Sequence, residues 1–70
     1  MKEDITVRFG NKVREERLSR NLSQEKFADI IGVHRTYLGM IERAEKNITL
    51  KNIEKIAKGF KIPIKELFDL

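Results

Sequence analysis

The side chains best suited to reading a nucleic-acid base lie in one short segment, Arg35 to Tyr37. A guanidinium can donate two hydrogen bonds to O6 and N7 of guanine, and the hydroxyl and methyl group of Thr36 suit a base edge or a thymine methyl. The ring of Tyr37 can pack against the protein while its hydroxyl reaches a phosphate. Taken alone, Arg35 and Thr36 would be ordinary surface residues, and that role stays the alternative for them. Within the two-helix unit described below, we predict that all three residues read bases.

Three further residues are suited to holding a phosphate. Ser23 and Gln24 stand where a helix is expected to begin, and the free backbone N–H groups of a helix N-terminus bind anions. His34 is the single histidine, so it has no histidine partner for a metal site or a catalytic triad. We predict a phosphate contact for His34, with a surface or capping role as the alternative.

Arg17 and Glu42 are charged residues on helix faces that are otherwise apolar. Arg17 continues a stripe with Phe9 and Val13, and Glu42 lies one turn beyond Leu38. A buried charge needs a partner. We predict that the two residues pair with each other as part of the scaffold. No nucleophile or metal-ligand cluster accompanies them, so the sequence does not indicate an enzyme.

The composition favours one small domain with a polyanionic partner. The chain has 70 residues, with 15 basic and 11 acidic side chains that leave a formal charge of +4. The absence of cysteine excludes disulfides and thiolate metal sites. No stretch is long and apolar enough to span a bilayer, and the charged start does not lead into a secretory signal. We expect a soluble cytoplasmic protein without cofactor, metal, membrane contact or small-molecule ligand.

Apolar residues recur at helical spacing along the whole chain, and no alternating pattern indicates a strand. The fold class is therefore predicted to be all-α, with five helices that share one core across residues 1–70. The first three helices should run from about residue 6 to residue 20, from Ser23 to Gly32, and from about His34 to Arg43. The fourth should run from Thr49 to Gly59 or just beyond. The fifth should be short, with Pro63 in its first turn.

The second and third helices form a helix-turn-helix unit at about residues 23–43. Ala28 permits close approach of the two helices, Gly32 permits a positive φ in the turn, and Val33 packs at the entrance of the third helix. In such a unit the later helix, here the third helix of the chain, is called the recognition helix and can enter the major groove. Gly39 lies in the interior of that helix, where glycine is unfavourable, and we interpret it either as a point of close approach to DNA or as a tolerated surface glycine.

This pattern resembles the helix-turn-helix domains of the Cro and phage-repressor family, which are compact five-helix, lambda-repressor-like domains. The resemblance covers nearly all of the chain and rests on the motifs Ser23-Gln24-Glu25, Phe27-Ala28, Gly32-Val33 and Ile41-Glu42-Arg43. Within that family, His34-Arg35-Thr36-Tyr37 and Asn47-Ile48-Thr49-Leu50 look most like the controller proteins of bacterial restriction-modification systems.

The resemblance implies a homodimeric transcriptional regulator, repressor or activator, on a partly palindromic operator in double-stranded DNA. It also implies that Arg43, Lys46 and Asn47 clamp the backbone beyond the recognition helix, with a solvated basic loop as the alternative. RNA polymerase is a further candidate partner. Antitoxin and phage repressors share the frame, and a protein-interaction module on the same frame is the alternative from another functional class.

The C-terminus carries more large apolar side chains than one short helix hides. Leu67 is expected to face inward, which leaves Ile64, Phe68 and Leu70 for a two-fold interface. The alternative is that all of them complete the core of the monomer. We predict a homodimer that sets two recognition helices about 34 Å apart.

Overall fold

The computed structural model describes residues 4–70, and this part of the chain contains five α-helices and no β-strand. The all-α, five-helix prediction is confirmed. The helices are α1 (Ile5–Ser19), α2 (Gln24–Ile31), α3 (Arg35–Glu42), α4 (Leu50–Phe60) and α5 (Ile64–Leu67). All five contribute to one core, and α3 packs against both α1 and α2.

Side-chain caps fix where four of the helices begin. The hydroxyl of Ser23 accepts the backbone N–H of Lys26 at 3.0 Å, and the hydroxyl of Thr49 accepts that of Asn52 at 3.2 Å. Both caps were predicted from the sequence. Asp4 caps α1 in the same way. Each cap satisfies a donor that the first turn of a helix leaves free.

Left-handed residues end α2 and α4. Gly32 follows α2 with φ +75°, as the sequence predicts. α4 continues through Gly59 to Phe60, which agrees with the predicted end at Gly59 or just beyond, and its left-handed cap is Lys61 with φ +60°. A Cβ on Gly59 would lie 2.4 Å from Cγ2 of Ile31, so this glycine serves the close packing of α4 on α2. Pro63 precedes the first residue of α5 and lies at its N-cap.

Aromatic and aliphatic side chains from all five helices form the core. The rings of Phe27 and Phe60 stack with centroids 4.1 Å apart, which joins α2 to α4. Leu67 is fully buried, as predicted, and fastens α5 to the domain. The core residues are Phe9, Val13, Phe27, Ala28, Ile31, Leu38, Ile41, Ile53, Ile56, Ala57, Phe60 and Leu67.

Gly10 marks the point where α1 crosses the end of α3. A Cβ at this position would lie 2.5 Å from the carbonyl oxygen of Ile41 and 2.7 Å from that of Glu42. Only glycine leaves room for this approach between a helix and the backbone of its neighbour. The position of α3 therefore depends on a residue 25 or more positions earlier in the chain.

Candidate nucleic-acid interface

The turn between α2 and α3 holds the two helices at a fixed angle. The N–H of Val33 donates to the carbonyl of Ala28 at 3.0 Å across the left-handed Gly32. Val33 then packs against the core, while Leu38 and Ile41 bury the inner face of α3. The opposite face of α3 is left on the surface, at the place where the helix-turn-helix prediction puts the recognition surface.

Arg17 and Glu42 form a buried, two-pronged ion pair between α1 and the end of α3, as predicted. Nε of Arg17 donates to Oε2 of Glu42 at 2.7 Å, and Nη2 donates to Oε1 at 2.9 Å. Nη1 donates to the carbonyl of Leu22 at 2.7 Å, in the turn before α2. Hydrogen bonding to Glu42 raises the pKa of the Arg17 guanidinium, which stays charged. One guanidinium thus ties together α1, the approach to α2, and α3.

Arg35 and Thr36 are exposed in the first turn of α3. Nη1 of Arg35 donates to Oε2 of Glu25 on α2 at 3.2 Å, and the two side chains are 64% and 72% exposed. An ion pair so open to water is weak, so Arg35 can exchange Glu25 for another acceptor at little cost. The geometry leaves both side chains available to a ligand that approaches the outer face of α3.

Tyr37 differs from its two neighbours because it is half-buried. Its ring packs against the core, and its hydroxyl oxygen accepts a hydrogen bond from Nδ2 of Asn52 on α4 at 2.9 Å. The hydroxyl proton is still free to donate to a base or a phosphate. Asn52 was not predicted from the sequence, because no periodic pattern links residues 15 positions apart on different helices.

The predicted phosphate residues flank the exposed face of α3. Ser23 lies at the start of α2, where its hydroxyl serves as the cap. Nε2 of Gln24 donates to Oε1 of Glu42 at 3.0 Å, so its amide supports the buried ion pair in this structure. Nδ1 of His34 accepts the N–H of Thr36 at 3.0 Å and caps α3. A neutral imidazole with Nδ1 as acceptor carries its proton on Nε2, which can donate to an anion.

The far flank consists of Arg43, Lys46 and Asn47, all of them exposed. Nε and Nη2 of Arg43 both donate to the carboxylate of Glu45 at 3.1 Å. Ala44, between them, has φ +60° and turns the chain away from the axis of α3. Two positive charges and an amide thus stand beyond the end of α3, and one of the two charges, that of Arg43, is paired with Glu45.

Gly39 lies under two side chains of this surface. A Cβ on Gly39 would lie 2.9 Å from Nη1 of Arg43 and 3.4 Å from Oε1 of Gln24. The interpretation of Gly39 as a surface glycine is therefore wrong: the residue is buried, and the atoms that cover it belong to flexible polar side chains. The missed signal was its spacing of four residues from Arg43, which places both on one face of a helix.

The residues predicted for a two-fold interface are close to one another in sequence near the C-terminus. Ile64, Phe68 and Leu70 are each 44% exposed. The ring of Phe68 lies on that of Phe9, with centroids 5.3 Å apart, so it serves the monomer core in part. An apolar groove of about 250 Å³ opens beside it, lined chiefly by Ile5, Phe9, Ile41, Ile48, Ile53 and Phe68.

Among residues 4–70 no cluster of three or more metal-ligating side chains occurs. No helix in the same range is both long enough and apolar enough to cross a membrane.

Comparison with known proteins identifies the architecture. The helix-turn-helix family model matches residues 13–67. The control protein C.BamHI of Bacillus amyloliquefaciens is 49% identical over 70 residues, which cover 99% of this chain and 86% of that protein.

Two solved structures agree with this comparison. The restriction-modification controller protein C.AhdI from Aeromonas hydrophila superposes with a TM-score of 0.88 at 43% identity, over 90% of this chain and 96% of that one. The controller C.Esp1396I, solved as a nucleoprotein complex, gives a TM-score of 0.85 at 28% identity, over 97% and 88% of the two chains. The chain therefore belongs to the helix-turn-helix family of DNA-binding transcription regulators.

Proposed function

We propose that this chain is the controller of a restriction-modification system, and that it binds a partly palindromic operator as a homodimer. The observation that carries the proposal is the outer face of α3. There Arg35 and Thr36 are exposed side by side, while the Arg17–Glu42 pair holds the same helix from behind. Such a fixed helix with free polar side chains is what major-groove reading requires.

The roles of the site residues follow from their chemistry. Arg35 donates a bidentate pair to guanine, Thr36 meets a neighbouring base edge, and Tyr37 donates its hydroxyl proton. The phosphates on either side of the groove are bound at the start of α2 and α3 and beyond the end of α3, by Ser23, Gln24, His34, Arg43, Lys46 and Asn47. Contacts of this second kind set the register of the domain without reading the sequence.

The proposed dimer uses the apolar C-terminal surface formed by Ile64, Phe68 and Leu70. All three apolar side chains are half-exposed, and Phe68 also lines a groove with an apolar lining. A two-fold axis through this surface would place the same residues of two copies in contact and repeat α3 on successive turns of one DNA face. The contact with RNA polymerase stays a prediction.

Selection of bound sequences from a random duplex pool tests the proposal directly. We expect an enriched pair of inverted half-sites, with centres about one DNA turn apart, that matches DNA upstream of a restriction endonuclease gene. Weak, sequence-blind binding that vanishes near physiological salt would instead favour a protein-interaction module. A similar operator upstream of a toxin gene or phage gene would favour an antitoxin or phage repressor.

Sedimentation at micromolar concentration tests the dimer. Wild type is expected to sediment as a dimer, and Phe68→Asp, which places a charge on the proposed interface, as a monomer. Lys65→Asp is the matched control, because Lys65 is an exposed residue of α5, the short helix that ends just before Phe68. A wild-type chain that is monomeric both alone and on its operator would contradict the dimer.

A further inference from the structure

Arg43 is already paired with an acid on the surface that faces DNA in the proposed function. Its Nε and Nη2 each lie 3.1 Å from one oxygen of Glu45, in the two-pronged geometry that a guanidinium also adopts with phosphate. The left-handed Ala44 makes this pairing possible, since it turns the chain so that the side chains at 43 and 45 meet. Both side chains are slightly more than half exposed, so DNA can reach them.

The third nitrogen of the guanidinium also has a defined place. Nη1 of Arg43 lies over Gly39, 2.9 Å from where a Cβ would be. The side chain therefore folds back along α3 instead of extending into solvent, and a glycine leaves room for it. Two of the three guanidinium nitrogens contact the carboxylate, and the third covers the helix.

We propose that Glu45 is an intramolecular competitor that occupies Arg43 in the free protein and that DNA phosphate must displace it. The proposal rests on the proposed function, because it assigns Arg43 to the DNA backbone. The hydrogen bonds from Arg43 lower the pKa of Glu45, so the carboxylate is ionised at neutral pH.

The competition has a measurable signature in salt. Added salt weakens the Arg43–phosphate contact but also weakens the Arg43–Glu45 pair, so the two effects partly cancel in the wild-type protein. Removing the carboxylate leaves only the first effect. The slope of log affinity against log salt concentration should then steepen by up to about 0.9, the value for one phosphate contact.

A double-mutant cycle between Arg43→Ala and Glu45→Gln tests the proposal by fluorescence anisotropy on a duplex of random sequence and on the selected operator. Glu54→Gln is the matched control, since it removes one exposed acid that faces a basic neighbour, Lys58, on α4. We expect Glu45→Gln to tighten binding by about 2- to 5-fold, the range for one exposed ion pair. In the Arg43→Ala background it should change binding no more than Glu54→Gln does.

An effect of Glu45→Gln that is the same with and without Arg43, including no effect in either background, would overturn the proposal. The random duplex keeps this test separate from the proposed function, because binding to it needs only phosphate contacts. A selection that enriches no operator would therefore count against the proposed function alone. Circular dichroism checks that the four proteins of the cycle and the Glu54→Gln control are folded.

Discussion

At the scale of single residues, the proposed function gives two basic side chains different tasks. Arg35 stands in the first turn of α3, where its side chain can enter a groove. Lys46 stands beyond the end of α3, in the segment that leads to α4. Both are exposed and both carry one positive charge. Charge alone therefore does not distinguish the two residues. Their positions do, because only Arg35 lies on α3.

Replacing Arg35 by alanine is expected to cost about 1–3 kcal/mol of binding free energy on the operator and much less on random DNA, because a bidentate base contact is lost. Lys46→Ala should weaken binding to both DNAs alike and reduce the salt slope by about 1. Titrations at several salt concentrations measure both quantities. If the two variants lost equal affinity on both DNAs, the assigned division between base reading and phosphate binding would be wrong.

The Arg17–Glu42 and Arg35–Glu25 ion pairs should contribute differently to stability, because the first pair is buried and the second is exposed. Glu42→Gln leaves the Arg17 charge without its counter-charge and should lower the free energy of unfolding by about 3 kcal/mol. Glu25→Gln, the matched exposed change, should alter it by about 1 kcal/mol or less. Urea unfolding measures both, and equal losses would mean that burial of the pair contributes nothing.

At the scale of helices, two glycines decide how closely α1 and α4 approach their neighbours, and a third, on α3, does not. A Cβ on Gly10 would contact backbone oxygens at the end of α3, and a Cβ on Gly59 would contact buried side chains of α2. A Cβ on Gly39 would contact only the ends of two flexible polar side chains. A helical glycine is intrinsically unfavourable by about 1 kcal/mol relative to alanine. Whether a Gly→Ala substitution raises or lowers the free energy of unfolding therefore depends on what the new methyl group contacts.

The same substitution should thus have opposite effects at these positions. Gly10→Ala and Gly59→Ala should each lower the free energy of unfolding by about 1–3 kcal/mol, since an overpacked contact must open. Gly39→Ala should leave it unchanged or raise it by up to about 1 kcal/mol, since Arg43 can move aside. Thermal unfolding of the three variants checks the order, and destabilisation by Gly39→Ala as large as that by Gly10→Ala would contradict it.

At the scale of the whole molecule, stability is linked to pH through carboxylates that gain partners on folding. Hydrogen bonds from Arg20 and Lys12 lower the pKa of Glu16 below its ordinary value of 4.5. Arg20 also lies over the ring of Phe60, so this cluster joins α1 to the end of α4. Asp4 and Glu45 have pKa values shifted in the same direction by their own hydrogen bonds.

A lowered pKa means that the folded chain binds fewer protons than the unfolded chain in the acid range. The free energy of unfolding should therefore be constant above about pH 5.5 and should fall as the pH drops through 4.5 and below the folded-state values. Glu16→Gln should make this fall shallower, because it removes a carboxylate that Arg20 and Lys12 bind in the folded chain. Urea unfolding between pH 3 and pH 7 measures the slopes, and a slope for Glu16→Gln identical to that of the wild type would contradict the assignment.

The backbone of this domain was largely predictable from the sequence, and the side-chain pairings on its surface were not. Apolar spacing placed all five helices, and the need of two buried charges for each other placed Arg17 against Glu42. The pairings of Tyr37 with Asn52 and of Arg43 with Glu45 involve half-buried or exposed groups with several possible partners. Which partner such a group takes depends on rotamers and on turns such as Ala44, and neither is encoded in apolar periodicity.

The exposure of Arg35 and Thr36 has a consequence for how such a regulator can evolve. Under the proposed function both side chains read bases, and neither contributes to the core. Substitutions at these two positions would then change the preferred operator while leaving the fold intact. Tyr37, which is anchored to α4 through Asn52, does not have this freedom. New DNA specificities should therefore arise first at positions 35 and 36, and related chains that serve different operators should diverge there while they retain the buried ion pair.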